Sequence, residues 1–70
     1  MDMIYVDSST VDQIGYDDEA REVHVIFKNS GHYIYSDVSE EVWAQFRDAP
    51  SQGKFVNEEF KAKGYAFRKE

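Results

Sequence analysis

The chain contains no cysteine and a single proline. Without cysteine there is no disulfide framework, no thiolate nucleophile and no thiolate metal ligand. Small secreted domains usually lean on disulfides, so the absence points to a cytoplasmic setting. No run approaches the roughly 18 apolar residues of a membrane span. Met1 to Val6 carry an acid and no base, and no apolar core follows them, so no export leader is expected. Scarce proline argues against a disordered chain. Bases are also scarce over most of the length. Up to Gly53 three bases (Arg21, Lys28, Arg47) face eleven acids, giving −8. From Lys54 onward five bases face three acids, giving +2 and a net charge of −6. The acidic part repels phosphate at long range, and only the last quarter can attract it.

What is plentiful is aromatic surface: five Phe, five Tyr and one Trp in 70 residues. Each buried ring removes a large apolar area from water, which a chain this short needs to close one modest core. A single domain over residues 1–70 is expected.

Alternation of apolar and polar residues marks the strands. Thr10 to Tyr16 reads as one strand. Glu22 to Lys28 reads as the next, with Val23, Val25 and Phe27 on one face and His24 and Ile26 on the other. Asn29-Ser30-Gly31 suits a three-residue hairpin loop that pairs Lys28 with His32, Phe27 with Tyr33 and Val25 with Tyr35. If the preceding loop pairs Tyr16 with Arg21, then Ile14 opposes Val23. On that register Tyr33 and Tyr35 join the core face, while Ile26 and Ile34 share the outer face with His24 and His32.

Two helices follow. Ser39 caps the first, Glu40 and Glu41 suit its positive end, and Val38 and Trp43 stand at staple positions. Val42, Phe46 and Ala49 form its buried stripe, and Pro50 ends it. Ser51 caps a second helix to about Lys63, with Phe55, Val56 and Phe60 facing inward and Gly64 as its stop. Tyr65 to Phe67 either adds a short final strand or lays two rings over the core. Met1 to Asp7 is a lead-in. The fold class is therefore α+β: a three-stranded antiparallel sheet packed by two C-terminal α-helices.

No chemistry converges in the sequence. His24 falls opposite Ser36 on the outer face, but a Ser–His pair there has no orienting acid and no oxyanion hole. The histidines lack compact ligand spacing, so neither a metal nor another cofactor is expected. Asp17-Asp18-Glu19 lacks the spacing and glycine of a calcium loop. Ser51-Gln52-Gly53-Lys54 is a fragment of a phosphate-binding pattern, read more simply as a helix start with a packing glycine.

Several residues in a fixed order carry a likeness. They are Ser8-Ser9, Ile14-Gly15-Tyr16-Asp17, Gly31 followed by Tyr33-x-Tyr35, Asp37-Val38, and Ala49-Pro50-Ser51-x-Gly53-x-Phe55-x-Asn57. The chain resembles the KTSC domain family from about Val6 to Phe67. That small module is named for its place at the C-terminus of some lysyl-tRNA synthetases, and it also stands alone in bacterial and phage proteins. Val56 departs from the family's aromatic-aromatic-Asn pattern. The resemblance implies no established activity, and it suggests RNA binding only through the synthetase association.

Two functional expectations follow. The first is a non-enzymatic binding module whose RNA surface combines Lys54, Lys61, Lys63, Arg68 and Lys69 with Tyr65. The second is a protein-contact or self-association module, monomeric or weakly homo-oligomeric, using His24, Ile26, His32 and Ile34. The tyrosines Tyr33 and Tyr35 are expected to serve the core first.

Overall fold

The apolar alternation from Val11 to Tyr35 folds the chain into an antiparallel meander. The computed structural model describes all residues, Met1–Glu70. Its strands are β1 (Ile4–Tyr5), β2 (Val11–Asp17), β3 (Glu22–Phe27), β4 (Gly31–Tyr35) and β5 (Phe67–Lys69), adjacent in chain order. Helix α1 (Glu40–Arg47) and helix α2 (Gln52–Phe55) lie between β4 and β5, and α2 continues directly into a π-helical segment, Val56–Lys61.

The sheet therefore has five strands rather than three. The lead-in and the tail run along the free edges of β2 and β4, pairing Ile4 with Ile14 and Phe67 with Tyr35. Edge strands leave a row of backbone groups unpaired, and these short segments satisfy them. The Val6 amide donates to Asp12 O at 3.1 Å, and the Glu70 amide donates to His32 O at 2.8 Å.

Both hairpin registers differ from expectation by two residues. Phe27 pairs with Gly31, Val25 with Tyr33 and Val23 with Tyr35. The loop is Lys28-Asn29-Ser30, and Gly31, at φ +88°, closes it in the left-handed region. In the first hairpin Tyr16 pairs with Val23 and Asp17 with Glu22. There the Asp17 carboxylate accepts from the Glu19 and Ala20 amides, both at 3.2 Å, and Arg21 takes φ +57° inside the turn. A slip of two preserves side-chain parity, so the faces stay as the alternation assigns them.

Helix α1 starts where its cap requires: Ser39 Oγ accepts from the Val42 amide at 3.2 Å. Its far end is closed by a device the local pattern does not reveal. Gln52 is only 6 % exposed, and its Nε2 donates to Ala49 O at 3.0 Å and Arg47 O at 3.3 Å, with Phe46 O at 3.5 Å. Helix ends leave carbonyls without partners, and one buried amide from the next helix supplies them. The second helix begins at the expected cap, Ser51 Oγ accepting from the Lys54 amide at 3.3 Å. It then widens to i→i+5 bonds, among them Ala62 N to Asn57 O at 3.0 Å. Gly64, at φ +70°, ends the helical path.

The helices cover one face of the sheet. Val11, Ile14, Val23, Val25, Tyr35, Val38, Phe46, Val56 and Phe60 form the core between them. Phe60 is its hub: it stacks on Tyr35 (centroids 4.9 Å) and meets Phe46 edge-on (5.3 Å). Such pairs add about 0.5–1.5 kcal/mol each beyond their area. Tyr16 ties the sheet to the helix entry, stacking on Trp43 at 5.6 Å and donating its hydroxyl proton to Val38 O at 2.7 Å. Gly53 sits against Thr10, where a Cβ would collide with the threonine hydroxyl. The glycine of the Ser51–Lys54 fragment is thus a packing glycine.

Candidate functional site

The inner aromatic layer does not close at one end. A cleft of about 390 Å³ opens between the β3–β4 hairpin, β5 and the end of the π-helical segment. Six rings line it, those of Phe27, Tyr33, Tyr35, Phe60, Tyr65 and Phe67, together with Ser30, Lys61 and Gly64. Strand alternation brings the first three rings and Phe67 to this face, and the turn after Phe60 brings Tyr65.

The rings are held against one another. Phe27 meets Tyr33 edge-on at 5.5 Å, Tyr65 meets Phe60 edge-on at 5.1 Å, and Phe67 leans on both Tyr33 and Tyr35 at 5.8 Å. Tyr65 is fixed from behind: its hydroxyl donates to Glu59 Oε2 at 2.7 Å, and Glu59 is bridged to Lys63 at 2.8 Å. Burial and that bond push the Tyr65 hydroxyl up to about 12, while Lys63 and then Tyr65 hold the Glu59 carboxyl below its ordinary value. Tyr35 is 3 % exposed, and burial raises its hydroxyl above the ordinary range. No sealed polar atom lacks a partner, yet the Tyr35 hydroxyl has no acceptor in the chain. It therefore reaches open space, and the cleft is the space it lines.

The six residues expected to form a basic surface divide. Lys54 lies 3.9 Å from Glu58, Lys63 is taken by Glu59, and Arg68 is turned to the outer face, 2.7 Å from Glu22. Lys61 and Lys69 make no ion pair; Lys61 lines the cleft, and Lys69 Nζ stands 5.7 Å above the Tyr33 ring. Tyr65 belongs with these two. The aromatic marker pair divides as well, Tyr35 lying in the core and Tyr33 half-buried in the cleft wall.

The outer face departs from expectation. Ile34 is fully buried, so no exposed pair of isoleucines exists there; Ile26 is half-buried. Ile34 lies between His24 on β3 and Arg68 on β5. Each of these is tied to another residue on that face, His24 to His32 at 2.9 Å and Arg68 to Glu22 at 2.7 Å. His24 faces Ile34 rather than Ser36, because of the two-residue slip, and the Ser–His pairing is not made. Burial, and then the charge of His32, hold His24 below the ordinary histidine range.

Fold and cleft define a small α+β domain: a five-stranded meander with two helices on one face and an aromatic opening at one end. The family model of the KTSC domain matches residues 7–65, and the chain belongs to that family. It is 32 % identical to a KTSC domain protein from Yersinia pestis whose crystal structure superposes with a TM-score of 0.92, covering 99 % of this chain and 96 % of that one. Comparison with curated proteins found no match.

Proposed function

We propose that this domain is a binding module that takes an unpaired base of single-stranded RNA into the aromatic cleft, with Lys61 and Lys69 meeting the flanking phosphates. One observation carries the reading: the two bases of the C-terminal quarter that have no carboxylate partner are the two that flank the ring-lined opening. Every base has a π-face, and stacking on an aromatic side chain is worth about 1–3 kcal/mol. A volume of about 390 Å³ suits one base and part of its sugar rather than a longer segment. Family membership supports the fold and supplies no activity; the cleft supports the binding role.

The charge balance bounds the affinity. A net charge of −6 opposes a phosphate backbone, and two lysines neutralise only two phosphates. Binding is therefore weak and moderately salt-dependent, with a slope of roughly −1.4 in log K against log salt for two contacts on a single strand. Titration of a fluorescent single-stranded RNA of a few nucleotides at roughly 50 mM salt tests this. Binding that is lost in Lys61→Glu and in Lys69→Glu, and retained in Lys54→Glu, is expected. No binding at that salt, or equal binding by all three variants, rejects the reading.

A further inference from the structure

We propose that the Tyr35 hydroxyl is the specificity-determining group of the cleft, donating its proton to an acceptor on the edge of the bound base; this rests on the cleft being a base-binding site. Tyr35 is the most buried tyrosine in the chain, at 3 % exposure. Buried hydroxyls are satisfied almost without exception. Tyr16 and Tyr65 are less buried, and each donates to an oxygen at 2.7 Å, Tyr16 to Val38 O and Tyr65 to Glu59 Oε2. Tyr35 has no such partner in the chain. Since no sealed polar atom goes unpaired, its oxygen opens on the cleft that the ring lines.

The neighbours of Tyr35 leave that oxygen as what it can offer. Strand β4 sets the residue between Val23 of β3 and Phe67 of β5. Phe60 stacks on its ring at 4.9 Å and 15°, and Phe67 leans on it at 5.8 Å and 44°. The ring is thus engaged by the protein's own aromatics, and a guest meets the hydroxyl instead. Tyr33 and Phe67 differ: half-buried and exposed, they keep surface for stacking. Burial, and then Tyr33, raise the Tyr35 hydroxyl above the ordinary tyrosine range, so it stays a protonated donor at neutral pH.

The other polar groups of the lining are engaged or solvated. Tyr65 donates its proton to Glu59, Ser30 and Lys61 are exposed, and Tyr33 is half-buried beneath Lys69. In the open cleft water can accept the Tyr35 proton. A bound base displaces that water and replaces its bond. An apolar ring of the same shape displaces the water and leaves a desolvated donor unpaired. Sites built on a buried hydrogen bond reject the analogue that lacks the group far better than they reject a small change of size. The expected discrimination is roughly ten- to a hundred-fold. Stacking alone would give little, because it tolerates any π-face.

Two short fluorescent RNAs, titrated with the intact chain at roughly 50 mM salt, test this role. They differ in one nucleotide flanked by abasic positions: uridine in one strand, its difluorobenzene isostere in the other. Wild type should bind the uridine strand roughly tenfold or more tightly, and Tyr35→Phe should bind the two strands alike. The variant should also match or exceed the urea midpoint of wild type, because the hydroxyl holds nothing within the fold, whereas Tyr16→Phe should lower it. The two wild-type affinities carry the test even if Tyr35→Phe folds poorly. Equal binding of both strands by wild type, or a preference kept in Tyr35→Phe, would overturn the hydroxyl's role while leaving the cleft as a stacking site. Binding of neither strand would reject the cleft itself as a base site, and this role with it.

Discussion

The two faces of the sheet come from the same strands with the same alternation, yet they are covered in different ways. The inner face is packed by α1, α2 and the π-helical segment, and its cover is aromatic and hydrocarbon. The outer face has no helix over it. Its buried residue, Ile34, lies among two imidazoles and an Arg68–Glu22 ion pair, and the Met1–Met3 segment covers the neighbouring Gly15. Zero exposure thus has two physical meanings here. On the inner face it reports interdigitated packing, where a deletion leaves a cavity. On the outer face it reports a lid of long polar side chains that can settle inward.

The sharpest way to break this comparison is to remove the same group from each face. Ile14 and Ile34 are both fully buried. Ile14→Ala should cost about 4 kcal/mol and Ile34→Ala about 2 kcal/mol, because only the second site can collapse. A domain of this size has only about 3–5 kcal/mol to lose, so Ile14→Ala should be largely unfolded in water. Urea titration of the two variants checks it, and equal costs would make the outer face a second true core.

Next in size is the buried amide that joins the inner helices. Gln52→Leu keeps the volume but strips the α1 carbonyls of their donor, at an expected 1–3 kcal/mol. A smaller effect, confined to the outer face, is expected from Gly15→Val, which displaces Met3. It should cost about 1 kcal/mol or less while speeding hydrogen exchange of the Val6 amide, whose bond to Asp12 O extends the β1–β2 pairing. An unchanged Val6 exchange rate would show that the N-terminal segment does not cover the face as a unit.

The smallest effect is a pH dependence at the cleft wall. The Glu59 carboxyl is depressed in the fold by Lys63 and Tyr65. A depressed acid contributes stability that is present above its unfolded value and is lost as pH falls through the folded one. Stability should therefore decline below about pH 4.5. Tyr65→Phe should flatten that decline in acid urea titrations, since the hydroxyl is one of the two groups that hold the charged form. An identical slope in the variant would leave Lys63 as the sole cause.

Much of this comparison is legible in the residues. Val23, Val25, Tyr33 and Tyr35 alternate with His24, Ile34 and their neighbours, and period-2 alternation assigns faces without knowledge of the register. That is why a two-residue error in both hairpins moved partners but not faces. Ser39 and Ser51 announced the helix starts because capping is a local hydrogen bond. The first edge strand was not legible, since Ile4–Tyr5 is too short to show a period; the last was offered as an alternative at Tyr65 to Phe67 and lies two residues further on, at Phe67–Lys69, where β4 presents its free edge. Nothing local marks Gln52 for burial, since only the tertiary fold brings the end of the first helix against it.

The cleft shows the same division. Its residues were visible as aromatics and bases, and the Lys54–Glu58 and Lys63–Glu59 pairs follow the local i,i+4 spacing of a helix. The Arg68–Glu22 pair, and the placing of Lys61 and Lys69 at the cleft, depend on side chains far apart in the chain. By itself, the sequence determined the α+β class, the faces of the strands and the helix starts, because those rest on periodicity and on bonds between near neighbours. Only the tertiary structure decided the five-stranded sheet, the burial of Ile34, the histidine pair and the open aromatic end. Each of these depends on which distant segments meet and which polar groups they satisfy when they do.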